Sequence, residues 1–160
     1  MRSSHLRHSS RFRGRRELAR RFYKQNSKAT ITILFRRIKP YSFPITLDLI
    51  AKFLHIPKSL LVRAECWAYV LFVHRCDKGG QFISYRKLAI WIEAVVSLIK
   101  KSTTLEDLWQ IGLSIKQECE KFDYEKPVLE YLRRVWAKHR DYLRDLQQGS
   151  DATTWKIVAI

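Results

Sequence analysis

The chain has 160 residues, 46% of them hydrophobic and 12% aromatic, which is enough apolar material to bury a core and excludes wholesale disorder. The net charge is +16, and it is unevenly placed: residues 1–40 carry thirteen Lys or Arg against one acid, residues 41–80 five against three, and residues 81–160 thirteen against eleven. One cationic end on a nearly balanced chain points to a polyanionic partner. Cys66, Cys76 and Cys119 are too few and too scattered for a disulfide framework. No apolar run approaches the roughly 18 residues a bilayer-spanning helix needs.

Residues 1–14 hold Ser, Arg and His with almost nothing to bury, and read as a disordered arm. RRELARRFYKQ, residues 15–25, has the spacing of a basic helix ended by Asn26-Ser27. Within residues 1–28, Arg11, Arg13, Arg15, Arg16, Arg20, Arg21, Lys24 and Lys28 are the candidate phosphate contacts. Each phosphate neutralised releases a counterion, which favours binding without reading sequence. An Arg- and Ser-rich start is also the composition of an organelle transit peptide; without one the expected compartment is the cytoplasm.

Ala29–Ile38 alternates Thr and Ile as a strand would, yet Ile31, Leu34, Phe35 and Ile38 also fit a helix, and with no evident partner strand the helix is favoured. Pro40 and Pro44 mark a loop. Ile45–His55 and Pro57–Arg75 then read as two helices, the second carrying Leu60, Leu61, Ala64, Trp67, Ala68, Leu71 and Phe72 at helical spacing. Asp77–Gly80 is the clearest break. A hairpin of Tyr69–Arg75 with Phe82–Tyr85 around it ranks second, because the helical spacing runs on through Phe72.

Beyond the break, Ser84 is an expected cap for a helix through Leu88, Trp91, Ile92, Val95, Val96 and Ile99. Thr104 caps the next, with Leu105, Leu108, Trp109, Ile111 and Ile115 on its buried face and acids in its first turn. The last begins near Pro127 and is expected to end at Gly149-Ser150. The expected fold is therefore all-α: a basic arm over 1–28, a paired-helix region over 29–76, and a bundle of about three helices over 84–147.

Leu47–Cys66 resembles the helix-turn-helix shared by repressors, resolvases and transposase DNA-binding domains. Ile50, Ala51, Leu54, Ile56, Leu61 and Ala64 occupy the motif's packing positions, and His55 stands where the turn usually has glycine. Histidine is among the residues enriched at positive φ. The resemblance implies that Lys58, Ser59, Val62, Arg63 and Cys66 face a major groove from a recognition helix, with Arg63 suited to guanine. Leu60 and Val62 depart from the pattern by being apolar.

No catalytic constellation, cofactor motif or metal-ligand spacing is legible. Gly79-Gly80 lacks the Lys-Ser/Thr of a phosphate loop, and His74 and Cys76 have no second pair at zinc spacing. The sequence therefore points to a non-enzymatic DNA-binding protein, a regulator of transcription or of a mobile element, with duplex DNA preferred over RNA as partner. Residues 84–147 are a possible homodimer surface. The alternatives are a ribosome-associated or RNA-binding helical protein, and an interaction protein whose arm meets an acidic partner or membrane surface.

Overall fold

A computed structural model describes the backbone of residues 31–158 and the side chains of residues 31–148. The expected arm and its eight candidate phosphate contacts lie outside the described residues. Helix α1, Ile33–Ile38, starts at Thr32, whose hydroxyl accepts from the Phe35 amide at 3.1 Å. It stops after six residues because Lys39 turns into the left-handed region (φ 53°) ahead of Pro40. Helix α2, Leu47–Leu54, has the same design: the Thr46 hydroxyl caps the Leu49 amide at 3.2 Å, and His55 ends it at φ 53°. The Ile56 amide then donates back to the Ala51 carbonyl.

The all-α expectation is contradicted here. Pro57 leads into a short 3₁₀ turn, Lys58–Leu60, and then into three antiparallel strands: β1, Leu61–Cys66; β2, Leu71–Arg75; and β3, Gly79–Ile83. They pair in the order β1-β2-β3, so the fold is mixed α/β. The helix expected over Pro57–Arg75 does not form. Leu71 and Val73 alternate with Phe72 and His74, and the alternation is realised because each strand finds a partner within ten residues. Gly79, at φ 75°, supplies the positive-φ position that closes the β2–β3 turn. The inner face, with Leu61, Leu71, Val73 and Ile83, is buried against the helices.

After a 3₁₀ turn at Tyr85–Lys87 come α3, Ala89–Lys101; α4, Leu105–Lys121; and α5, Lys126–Val158. Three details differ from expectation: Ser84 makes no side-chain cap, α3 being capped instead at Leu88; α5 runs on through Gly149-Ser150; and Trp109, expected on the buried face of α4, is 57% exposed. Thr104 does cap α4, accepting from the Asp107 amide at 3.1 Å. Trp91, Val95, Val96 and Ile99 of α3 pack with Leu108 and Ile111 of α4 and Leu132 and Leu143 of α5. Gly112 lets α5 close on α4, since a Cβ there would lie 2.9 Å from the Trp136 indole nitrogen, which donates to the Leu108 carbonyl. Sheet and helices share one core, from Leu34 to Leu143. Among the described residues no helix is long and apolar enough to cross a membrane.

Candidate nucleic-acid interface

Among the described residues, the outer face of the sheet presents a cluster of rings and charges to solvent. Cross-strand partners share a face, so pairing assigns it directly. Glu65, Phe72 and Phe82 form one row; Arg63, His74 and Gly80 form the next. Trp67, just after β1, joins the first row. Its ring stacks on Phe72 (5.3 Å between centroids, 19° between planes) and lies 5.4 Å from Phe82. Phe72 and Phe82 are 5.5 Å apart, so all three rings touch. They are not sealed: Trp67 is 36% and Phe82 43% exposed, where a comparable core ring such as Trp91 has no exposure.

Three local features hold this cluster. Gly80 makes room for it, because a Cβ at that position would sit 2.8 Å from the edge of the Phe72 ring. Glu65 receives the Trp67 indole N–H at 3.1 Å and an ion pair from Arg63 at 3.1 Å. The Arg63 guanidinium lies 6.0 Å from the centre of the Phe72 ring. From beneath, fully buried Tyr85 donates its hydroxyl to the Trp67 carbonyl at 2.7 Å, fixing the β1–β2 turn. At the far end, Arg75 grips Asp77 with two hydrogen bonds (2.9 and 2.5 Å). This contact holds the Asp77 carboxyl below its ordinary pKa and raises that of Arg75.

The five residues expected on a recognition helix are spread over a turn and a strand. Lys58 lies in the 3₁₀ turn, paired with Asp48 at 2.8 Å, and Ser59 is beside it. Val62, 53% exposed, sits at the irregularity in β1 pairing between Leu61 and Arg63. Arg63 belongs to the outer face. Cys66 shares the opposite face with Leu71 and directs its thiol to the Phe43 carbonyl. The structure thus brings Arg63 together with Trp67, Phe72 and Phe82, three residues the helical reading assigned to a buried stripe or left without a role. The signal that finds them is the two-residue period of β2 across the Asp77–Gly80 break.

A second cluster of charge and rings lies inside the protein. Glu118 of α4, with no exposure, receives hydrogen bonds from the Thr32 hydroxyl, the Arg86 guanidinium and, at 3.2 Å, the Tyr124 hydroxyl. Trp91 in turn donates to Tyr124 at 2.9 Å. The Arg86 guanidinium lies 3.6 Å from the centre of the Phe122 ring. Burial, reinforced by the Glu118 charge, pushes the Tyr124 hydroxyl well above its ordinary pKa; burial likewise raises the Cys119 thiol, with Glu118 adding to it. Every oxygen of Glu118 is engaged by these partners, so the cluster clamps α1, the Tyr85–Lys87 turn and α4 together. No group of three or more His, Cys, Asp or Glu side chains among the described residues is placed to hold a metal ion.

The chain matches no protein-family model, no curated protein and no solved structure.

Proposed function

We propose that this chain is a non-enzymatic nucleic-acid-binding protein. The observation that carries the reading is the charge distribution: twelve of the sixteen net positive charges fall in the first forty residues, and arginine outnumbers lysine there. Arginine's planar fork suits paired hydrogen bonds to phosphate, and counterion release makes such contacts favourable on any sequence. Support comes from the inner clamp as well. Its buried carboxylate is saturated by structural partners, so this cluster is occupied with holding helices together. Reading of a major groove by a helix over Pro57–Cys66 forms no part of the proposal, because Leu61–Cys66 is a strand.

The test is a salt series. Full-length protein is titrated against a hairpin duplex, a structured RNA, an unpaired oligonucleotide and anionic vesicles. Binding to nucleic acid with a steep salt dependence is expected. Replacing Arg15, Arg16, Arg20 and Arg21 by Gln is expected to flatten the slope by roughly 0.7–0.9 log units per lost phosphate contact. Retention by vesicles alone contradicts the proposal.

A further inference from the structure

We infer that the outer face of the sheet is a stacking platform for the bases of an unpaired nucleic-acid strand, with Trp67, Phe72 and Phe82 as the rings that receive them. The inference rests on the nucleic-acid reading above and names the class of strand and the surface. Four observations lead to it.

The first is composition. The six paired strand residues of this face are Arg63, Glu65, Phe72, His74, Gly80 and Phe82, and the one exposed aliphatic beside them is Val62, at the irregularity in β1. A face that docks another protein by burial draws on Leu, Ile, Val and Met as well as rings. A face dominated by rings and charges suits flat, polarisable ligands that every base resembles. The second is geometry. Trp67 and Phe72 lie nearly parallel, and Phe82 adjoins both, so the cluster spans from the first turn to the outer strand of the sheet.

The third is charge complementarity. The chain carries +16, and at the platform itself the single acid, Glu65, is balanced by Arg63 and hydrogen-bonded by the Trp67 N–H, so the rings meet a phosphate strand without an uncompensated negative charge. The guanidinium at Phe72 is placed to meet a phosphate or to stack on a base beside the ring. The fourth is rigidity. Tyr85 pins the Trp67 backbone from the core, and Gly80 gives Phe72 its seat, so the rings are held in place before any ligand arrives. A duplex buries its base faces in its own stack, so only an unpaired strand offers what this platform takes.

The experiment measures binding of the full chain to a fluorescently labelled twenty-nucleotide oligothymidylate and to a hairpin duplex of equal charge. The unpaired strand is expected to bind at least tenfold more tightly at a salt concentration that screens phosphate contacts. The Phe72→Leu/Phe82→Leu and Trp67→Leu variants are expected to lose tenfold or more for the unpaired strand and little for the duplex. Trp109→Leu, an exposed ring on α4, serves as the control and is expected to leave both affinities in place. Ultraviolet crosslinking of the unaltered protein to oligothymidylate, read by peptide mass, keeps the question open to refutation if a variant fails to fold. Adducts at Trp67, Phe72 or Phe82 support the platform; adducts confined elsewhere overturn it. Unchanged oligothymidylate affinity in folded ring variants, or equal binding of strand and duplex, overturns the platform and leaves nucleic-acid binding standing. Absence of binding to either nucleic acid overturns both. Concentration-dependent self-association abolished by the ring variants, with no effect on oligothymidylate, would assign the face to a second copy instead.

Discussion

Two Arg–Glu pairs in this protein are built from the same parts and put to opposite ends. Arg63–Glu65 sits on the sheet's outer face beside Phe72 and Trp67, with both side chains roughly half exposed. Arg86–Glu118 sits in the core beside Phe35, Trp91 and Phe122, with the two side chains 6% and 1% exposed. In water an ion pair is weak and exchangeable, so the outer one leaves its ring neighbours accessible. Away from water, breaking a pair strands a charge, so the inner one is committed to the fold. Burial, not residue type, separates the surface that can meet a ligand from the knot that cannot.

Substitution separates the two pairs. Glu118→Ala leaves the Arg86 charge buried and is expected to cost about 3–5 kcal/mol in urea unfolding, whereas Glu65→Ala is expected to cost less than about 1 kcal/mol. Equal losses would mean that the two pairs are not different in kind. Tyr124→Phe removes a hydroxyl that donates to Glu118 and accepts from Trp91, for an expected loss of about 1.5–3 kcal/mol. The same hydroxyl gives a pH signature. Its folded-state pKa is raised, so its contribution is complete below the unfolded value near pH 10 and is withdrawn as pH climbs beyond it. Alkaline unfolding of Tyr124→Phe should lack that part of the decline.

Gly80→Ala drives a methyl group against the Phe72 ring and is expected to cost about 1 kcal/mol, with a change in near-ultraviolet dichroism from the displaced rings. An unaltered aromatic spectrum would mean that the platform does not depend on its glycine seat. The smallest effect is at Asp77, whose pKa is lowered by Arg75. Its contribution is present above the ordinary carboxylate pKa and fades as pH falls below about 4. Asp77→Asn should flatten that shallow acid limb and nothing else.

Much local chemistry is legible where one residue acts on its neighbours, although Ser84 makes no cap and Gly149-Ser150 ends no helix. Thr104 as a cap, His55 at positive φ, the apolar stripe Trp91–Val95–Val96–Ile99 and the three C-terminal helices can all be read from short spacings. The sheet was harder to read because its signal is divided among segments. Leu61, Ala64, Leu71 and Phe72 also satisfy a helical period, and only the pairing of Leu71 with both Cys66 and Ile83 decides against it. The helix ended at His55 as the motif requires, but Pro57 and the strand-forming Val62 and Val70–Val73 turned the next segment into a sheet. The same ambiguity conceals the ring platform. Phe72 belongs to a buried stripe if the segment is a helix and to an open face if it is a strand. Glu118 was hidden for another reason, since its partners Thr32, Arg86 and Tyr124 are 86, 32 and 6 residues away.

The most direct test of the account follows oligothymidylate affinity across a salt series for the unaltered chain and for Phe72→Leu/Phe82→Leu. Phosphate contacts set the slope of such a plot, and stacking sets its height. The account predicts two parallel lines, the variant's at least tenfold weaker at every salt concentration. Superimposed lines would contradict it.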